Sequence, residues 1–322
     1  MQSCARLLLC ALMAMSATIV SAQPWPTAKP IRIVIAFGPG SASDIFARLV
    51  ADRLRADLNQ TVIVESKPGA SGIIAAEFVA KAPADGYTLF LTTNTTHSAN
   101  PYLFKTLPYD PLKDFTPIAR IGYFPFVVLV DSKLPINSVK ELVAHSKATP
   151  GGISYAYTSS AGQVAAAALS NLTGMNATGV PYKAAPQALA DVVGGQVPFT
   201  VIDFATSQPL VKQGRLRALA VTPQARTSLA PELPTLREAA GLEDFGVVAW
   251  MGLFGPANLP PDIVERLSAD LVKIVTAKDM EERMVAMGTE PAPAGAKEFD
   301  AFVKSQLRVW ERQIKIAGVK PE

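Results

Sequence analysis

Residues 31–54 read IRIVIAFGPGSASDIFARLVADRL, and this stretch indicates the fold class. A continuous apolar run ends at Phe37, a loop of glycine, proline and serine follows, and apolar residues then recur at helical spacing. Continuous apolar runs are typical of strands that are buried on both faces of a sheet. The stretch therefore predicts a strand, a short loop and a helix, which is the repeating unit of an α/β protein.

The alternation of apolar runs and helical spacing continues through most of the chain. Apolar runs predict further strands at 61–65, 87–93, 124–131, 153–156, 197–203, 216–222 and 247–256. Helical spacing predicts helices at 43–58, 72–82, 138–148, 161–174, 184–193, 205–213 and 261–275. Because helices separate the first three strands, we expect these strands to form a parallel sheet.

The pattern divides the chain into two α/β units of roughly a hundred residues each, followed by C-terminal helices. The strand at 124–131 leaves the first unit and the strand at 247–254 returns to it, which predicts a two-strand hinge. Since open α/β sheets bind ligands at the carboxyl ends of their strands, we expect a ligand cleft between two lobes. Lobe 1 is expected to be discontinuous, over residues 23–123 and 247–322, and lobe 2 to span residues 124–246.

The first 22 residues have the pattern of a secretory signal peptide. Arg6 precedes the apolar run LLLCALMAMSATIV, and the small residues of VSA predict cleavage after Ala22. The apolar run is short for a membrane span. Both cysteines, Cys4 and Cys10, lie in this leader, so a mature chain would have no disulfide, thiolate ligand or cysteine nucleophile. Export without disulfides is compatible with a bacterial periplasm.

Composition narrows the possible partners. The net charge is +3, or +2 without Arg6, and the charges are scattered without a basic run, so we expect no nucleic-acid partner. The two histidines, His97 and His145, do not predict a metal site in a mature chain without cysteine. The glycines near residue 40 have neither the dinucleotide spacing nor a following Gly-Lys-Ser/Thr, so no cofactor is expected.

The loop after the first strand has the residues of an anion site. Glycine lets the backbone approach a ligand closely, and the free N–H groups at the start of a helix attract negative charge. The alternative is a structural turn in which Ser43 or Asp44 caps the helix, and the loop alone does not decide between the two. The candidate residues are Phe37, Gly38, Pro39, Gly40, Ser41, Ser43 and Asp44.

Similar loops follow other buried strands. The stretch TTNTTHSANP at 92–101 supplies Thr93, Asn94 and Thr95, although a polar turn is the alternative there. The stretch YAYTSSAGQ at 155–163 ends a strand and begins a helix in the second unit, which adds the candidates Ser159, Ser160, Ala161, Gly162 and Gln163.

Asp203 ends another strand and is either a helix cap or a cleft residue. Loops in both units would then face each other across the cleft, which favours ligand binding over structural turns. Each helix start stabilises negative charge by about 0.3–1 kcal/mol, so two of them and several hydroxyls could hold a carboxylate without arginine.

Six stretches carry a family pattern: KPIRIVIAFGPGSASDIFARLVADRL, KPGASGIIAAEFVAKAPADGYTL, NPYLFKTLPYDPLKDFTPIA, VPYKAAPQALADVVGGQVPFTVID, GRLRALAVT and PTLREA. Together they resemble the Bug family of extracytoplasmic solute receptors, which serve tripartite tricarboxylate transporters. The resemblance covers nearly all of the mature chain, in order. It implies a periplasmic-binding-protein fold whose lobes close on a small dicarboxylate, tricarboxylate or aromatic acid, with delivery to a membrane permease and no catalysis. It also implies that amides, hydroxyls and waters hold the carboxylate, at Phe37 to Asp44, Thr93 to Thr95, Ser159 to Gln163 and Asp203.

The chain departs from the family pattern in both lobes. Ser41 stands where relatives usually carry a second glycine. Gln163 and Gly179 stand where many relatives carry histidine, and the acid found near Ala167 is missing. These changes favour an apolar or aromatic acid over citrate.

Two other functions are compatible with this architecture. A closed pair of lobes could signal to a membrane histidine kinase, and the sequence does not separate sensing from transport. A hydrolase would need a Ser-His-acid site, for which His97 near Asp110 and Asp114 is the candidate, but the chain has no Gly-x-Ser-x-Gly elbow. A receptor that hinges is expected to act as a monomer.

Overall fold

The computed structural model describes residues 25–321, which form two β-sheets covered by helices. The strands are β1 (Ile31–Ile35), β2 (Val62–Ser66), β3 (Thr88–Thr93), β4 (Phe115–Phe124), β5 (Phe126–Asp131), β6 (Ile153–Tyr157), β7 (Ala177–Pro181), β8 (Phe199–Asp203), β9 (Leu216–Val221), β10 (Ala249–Pro256) and β11 (Glu290–Gly295). The predicted leader, residues 1–22, and its cleavage site after Ala22 lie outside the described residues.

The α-helices alternate with these strands. They are α1 (Ala42–Leu58), α2 (Ile73–Ala80), α3 (Asn100–Leu103), α4 (Val139–Ala148), α5 (Ser160–Thr173), α6 (Ala185–Val193), α7 (Phe204–Lys212), α8 (Leu236–Ala240), α9 (Pro261–Val275), α10 (Lys278–Ala286) and α11 (Ala296–Ala317). Every strand and helix that the sequence predicts is present, with ends within about two residues of the predicted ones, the usual uncertainty of helix boundaries. Between residues 25 and 321, no helix combines the length and apolar character needed to cross a bilayer.

The first sheet has the strand order β11-β4-β10-β3-β1-β2. Strand β1 runs parallel to both β2 and β3, with Ile33 opposite Val64 and Leu89, so the predicted βαβαβ sheet is confirmed. Alternate residues of β1 face opposite sides: Ile33 packs with the core of α1, and Val34 packs with the core of α2. The near-continuous apolar sequence of β1 follows from this double burial.

Three antiparallel strands extend the first sheet. Strand β4 pairs with β10 on one side and with β11 on the other. The sequence pattern does not predict β4 or β11. Strand β11 reads EPAPAG, and its prolines hide the strand pattern because proline cannot donate to a ladder. They are tolerated because β11 lies at the edge of the sheet.

The second sheet has the strand order β7-β6-β8-β5-β9. Strand β6 is parallel to β7 and β8, whereas β5 is antiparallel to β8 and β9. Strand β7 reads ATGVP and was not predicted, since it is short and only partly buried. The carboxyl ends of β6, β7 and β8 lead into α5, α6 and α7, which places three loops at one end of this sheet.

The chain crosses between the sheets at two places. Pro125 separates β4 of the first sheet from β5 of the second, and residues 222–248 lead back from β9 to β10. The crossings are bonded to each other: Thr222 N–H donates to the Phe126 carbonyl (2.9 Å), and Thr222 Oγ1 donates to the Val247 carbonyl (2.7 Å). We keep 123/124 and 246/247 as proposed domain boundaries because the sheets change at these crossings.

The last helix, α11, contacts both lobes. It packs on β4 of the first sheet and on α5 of the second lobe. Phe299, Val303, Trp310 and Ile314 of this helix are buried in the core. Near its end, Asn171 Nδ2 of α5 donates to the Ala317 carbonyl at 2.5 Å.

We expect Gly162→Ala to destabilise the second lobe. A Cβ at this position would overlap the Val201 carbonyl oxygen, because α5 packs directly on β8 there. Overpacking of this kind typically costs about 1–3 kcal/mol. Urea unfolding of the mature chain should therefore show a lower midpoint.

The matched control is Gly295→Ala. Gly295 has a φ of −70°, and its added Cβ would come no closer than 3.4 Å to Ser268 Oγ. Because Gly295 is the N-cap of α11, where glycine is preferred over alanine, this variant should lower the midpoint slightly, and by less than Gly162→Ala does. Equal midpoints for both variants would show that α5 can move away from β8 at little cost.

Candidate ligand-binding site

A cleft lies between the two lobes, and it contains about 520 Å³ of empty space, including the part that is open to solvent. The cavity lies where the carboxyl ends of β1, β3, β6 and β8 meet, as the sequence predicts. Its lining residues are Phe37, Gly38, Ser41, Ala42, Ser43, Thr93, Asn94, Thr95, Phe124, Phe126, Thr158, Ser159, Lys183, Ala184, Ala185, Asp203 and Ala249.

The loop after β1 forms one wall of the cavity. Ser41 is the N-cap of α1, and its hydroxyl accepts a hydrogen bond from Asp44 N–H at 3.2 Å. The N–H groups of Ala42 and Ser43, the first two helical residues, have no partner within the helix and lie at the cavity wall. This end of α1 is therefore electropositive toward the cavity.

Asp44 is engaged in holding this loop. One carboxylate oxygen accepts from Gly40 N–H at 3.0 Å, and the other accepts from Arg48 Nε at 3.0 Å. Gly40 has a φ of +77°, a conformation that other residues rarely adopt. The expectation that Ser43 or Asp44 caps this helix is wrong, because the N-cap is Ser41 and both residues lie inside the first helical turn. Asp44 still holds the turn through Gly40, and Ser41 and Ser43 line the cavity.

The segment after β3 supplies buried polar groups that have no protein partner. Asn94 and Thr95 are each 1% exposed. Within residues 25–321, neither Asn94 Nδ2 and Oδ1 nor Thr95 Oγ1 has a hydrogen-bond partner. The sequence left a turn as the alternative here, but residues Thr95–Ala99 form a π-helix. Buried unpaired polar groups cost about 1–3 kcal/mol each, and π-helical segments often occur at functional sites.

The second lobe contributes two helix starts. Ser159 is the N-cap of α5 and accepts from Gly162 N–H at 3.4 Å. Asp203 is the N-cap of α7: its Oδ1 accepts from Thr206 N–H at 2.8 Å and from Thr206 Oγ1 at 2.6 Å. Burial raises the pKa of Asp203, and the bonds from Thr206 oppose that rise. Asp203 is thus both a cap and a cleft residue.

Residues 183–185 line the cavity and were not predicted as site residues. A Cβ built on Gly38 would lie 3.6 Å from Ala184 Cβ, and one on Gly40 would lie 3.5 Å from Pro186 Cγ. The loops of the two lobes are therefore in contact, and the cleft is closed. The sequence signal for these residues was the segment Lys-Ala-Ala-Pro, which comes after VPY. This segment follows β7 in the same way as the other cavity loops follow their strands.

Comparisons with known proteins identify the family. The family model described as "Tripartite tricarboxylate transporter family receptor" matches residues 46–319. The chain belongs to this family of receptors.

Relatives and solved structures agree with this assignment. Protein BugT of Bordetella pertussis is 31% identical to the receptor over 306 residues, which cover 94% of this chain and 93% of BugT. The structure of R. palustris Rpa4515 with adipate has a TM-score of 0.89 at 32% identity, covering 93% of this chain and 100% of that one. The structure of MatC from Rhodopseudomonas palustris with bound malate has a TM-score of 0.83 at 29% identity, covering 89% of this chain and 99% of that one. The Bug-family resemblance and the two-lobed periplasmic-binding-protein fold are confirmed.

Seven of the predicted site residues of the receptor do not line the cavity. Asp44 and Gly40 are committed to the turn described above, and Pro39 lies between the two residues that face Ala184 and Pro186. Ala161 is buried in the hydrophobic core, and Gly162 packs against β8. The seven residues are Pro39, Gly40, Asp44, Ser160, Ala161, Gly162 and Gln163.

Ser160 and Gln163 have positions of their own. The Ser160 hydroxyl donates to Asn100 Oδ1 of the first lobe at 3.2 Å, and both residues are buried. Asn100 Nδ2 in turn donates to the Ser71 carbonyl at 3.0 Å. Ser160 thus joins the lobes beside the cavity rather than facing into it. Gln163 lines a neighbouring groove that also includes Ser71.

His97 is outside the cavity and is packed among aromatic rings. Its imidazole stacks on Phe254 with ring centroids 3.9 Å apart, and its Nδ1 lies 2.9 Å from Thr96 Oγ1. Complete burial lowers the pKa of His97 to about 3, so the ring is neutral at physiological pH. Asp110 and Asp114 bond within their own turn. The histidine that a hydrolase would need therefore packs in the core of the first lobe.

We expect Asp203→Asn to stabilise the ligand-free receptor at neutral pH. The raised pKa means that the fold disfavours the ionised carboxylate, so its penalty is absent below the unfolded-state pKa near 3.9 and grows as pH rises through the folded-state value. Asparagine keeps an oxygen that can accept from Thr206 N–H. Thermal unfolding should show a higher Tm for the variant at pH 7 and similar values near pH 3.5. A variant that is less stable only at neutral pH would show that the Thr206 bonds outweigh burial.

Proposed function

We propose that this receptor works in the periplasm, where its cleft binds a small carboxylate for delivery to the membrane permease of a tripartite tricarboxylate transporter. Residues 1–22 would be removed after Ala22 during export. The observation that carries the proposal is the pair of buried, unpartnered polar side chains, Asn94 and Thr95, on the cavity wall. The bound adipate and malate of the two related structures are both carboxylates, which supports the same ligand class.

The donors of the cavity suit a carboxylate group. From the first lobe come Thr95 Oγ1, Asn94 Nδ2 and the free N–H groups at the start of α1. From the second lobe come the hydroxyls of Thr158 and Ser159. A carboxylate accepts several hydrogen bonds at once, and bonds to an ionised group are about twice as strong as neutral ones.

Lys183 adds a positive charge that the sequence analysis did not expect. It lines the cavity, its side chain is exposed, and its ammonium group forms no ion pair with another described residue. A lysine at the mouth of the cleft would attract anions from solution through its field.

The floor of the cavity suits an apolar ligand body. Phe124 and Phe126 flank Pro125 at one crossing, Ala249 begins β10 at the other, and Phe37 closes the side. The ligand range that we propose is therefore a dicarboxylate, a tricarboxylate or an aromatic acid, with an apolar portion over these rings.

We propose that the receptor has no catalytic activity and acts as a monomer without nucleic acid. Among the described residues, the cavity lining contains no histidine or cysteine, and its one acid, Asp203, caps a helix. No observation favours a sensor or a hydrolase over a transport receptor. Incubation of each carboxylate with the receptor should return it unchanged, and turnover would contradict this part of the proposal.

We expect Thr95→Val to weaken carboxylate binding by about 10-fold or more. The substitution keeps the volume and removes a hydroxyl whose bond to an ionised group is worth about 1.5–3 kcal/mol. Wild type should first be screened by thermal unfolding, after refolding to remove any bound ligand, against aliphatic dicarboxylates, citrate, acidic amino acids, benzoate and phthalate. A ligand at 100 times its Kd adds about 2.7 kcal/mol of stability. Calorimetry on each hit then gives the Kd of wild type and variant.

Thr200→Val is the control for this experiment. Thr200 is buried in the second sheet, where its hydroxyl donates to the Ala156 carbonyl at 2.8 Å, and it is not part of the cavity lining. This change should lower stability and leave affinity unchanged. If Thr95→Val binds each hit as tightly as wild type, or if no carboxylate binds, the proposed carboxylate-binding site is wrong.

A further inference from the structure

Asn94 lines the cleft, and neither the donor nor the acceptor of its side chain is paired. Its side-chain nitrogen and oxygen both lack a hydrogen-bond partner in residues 25–321, and the residue is 1% exposed. One N–H₂ group and one carbonyl remain unpaired in either orientation of the amide.

A carboxylate can satisfy only half of this side chain. An ionised carboxylate has acceptors and no donor, so it can receive the Asn94 N–H₂ bond but cannot supply a bond to the carbonyl oxygen. A buried acceptor that remains unpaired is costly. An occupant that pairs both groups directly therefore brings a donor as well as a carboxylate.

The neighbouring protein groups do not supply this donor. Thr95 N–H donates to Thr93 Oγ1 at 3.3 Å. Thr96 Oγ1 is within hydrogen-bond distance of Thr92 Oγ1 (2.8 Å) and His97 Nδ1 (2.9 Å). These groups are held by one another, and the Asn94 oxygen is left for the occupant.

The opposite lobe adds an acceptor to the same cavity. Asp203 Oδ1 accepts both bonds from Thr206. Asp203 lines the same cavity. An ionised Asp203 facing a ligand that offered only acceptors would face repulsion, whereas a hydroxyl or amine between them would donate to it.

We infer that the ligand of this receptor is a carboxylate that also carries a hydroxyl or amino group, and that Asn94 recognises this group by accepting its hydrogen bond. This inference rests on the proposed carboxylate function. It goes beyond the comparisons, because adipate has no such donor and malate has one, so the two related structures do not decide between the classes. A site built to pair a ligand hydroxyl discriminates strongly against the analogue that lacks it.

The test measures Kd by calorimetry for sets of acids that differ only in the donor. The sets are propionate, lactate and alanine; succinate, malate and aspartate; and glutarate, 2-hydroxyglutarate and glutamate. In at least one set, the hydroxy or amino acid should bind wild type about 10-fold or more tightly than the unsubstituted acid. Comparing the hydroxy acid with the amino acid then identifies the donor.

Asn94→Leu removes the amide that would accept the ligand's hydrogen bond. It should reduce the ratio of the affinities for the substituted and unsubstituted acids to about 1. It should not lower ligand-free stability, because an unpaired amide is replaced by an apolar group. Thr95→Val is the matched variant: it should weaken both members of a pair by a similar factor and keep the ratio. Asn94→Ala repeats the test if the leucine variant does not fold.

Each outcome separates the inference from the function on which it rests. Equal Kd values for substituted and unsubstituted acids in wild type would show that a bound water supplies the donor, which overturns the inference and leaves carboxylate binding intact. If the affinity ratio is unchanged in Asn94→Leu, another residue recognises the ligand's donor, and the inference is overturned. Failure of every carboxylate to bind would overturn the proposed function itself.

Discussion

The hydrogen bonds of Thr222 hold the two crossings of the chain together, and the geometry of the cleft depends on them. Thr222 bonds to Phe126 on the outgoing crossing and to Val247 on the returning one. The residues beside these bonds, Phe124, Phe126 and Ala249, are also the floor of the cavity. Hinge and ligand site therefore share their residues, so a rotation of the lobes about the crossings necessarily changes the shape of the site.

Helix starts perform similar structural roles in both lobes but in different electrostatic surroundings. Asp44 lies at the start of α1 and forms an ion pair with Arg48. Asp203 lies at the start of α7 without a basic partner among the described residues, and burial raises its pKa. The first lobe thus offers donors to an anion, whereas the second combines the donors of Thr158 and Ser159 with one acid. This asymmetry gives a bound ligand a defined orientation between the lobes.

The sequence predicted the fold well where burial alone shapes the pattern. Strands such as β1 and β3 are apolar because helices cover both faces of the sheet. Their burial can therefore be recognised from a continuous apolar run in the sequence. Strand β11 was missed because its prolines are allowed only by its edge position, which depends on pairing with β4. The loops at the ends of β1, β3, β6 and β8 were found because their glycine, hydroxyl and amide residues are a chemical signal. Lys183 to Ala185 were missed because β7, the strand that they follow, is short and only partly buried and was itself not predicted. Their place in the wall comes from lobe contacts at Gly38 and Gly40, which no local pattern encodes.

The unpaired groups on the cavity wall also couple ligand binding to closure. With the lobes closed and no occupant, Asn94 and Thr95 leave donors and an acceptor unsatisfied, at about 1–3 kcal/mol for each buried group. Water can pair the same groups when the lobes are apart, so this cost falls on the empty closed state. A ligand that pairs them removes the cost only in the closed state, and a ligand shifts a conformational equilibrium by its difference in affinity for the two states. On the proposed function, the groups that bind the ligand would therefore also favour closure of the lobes around it.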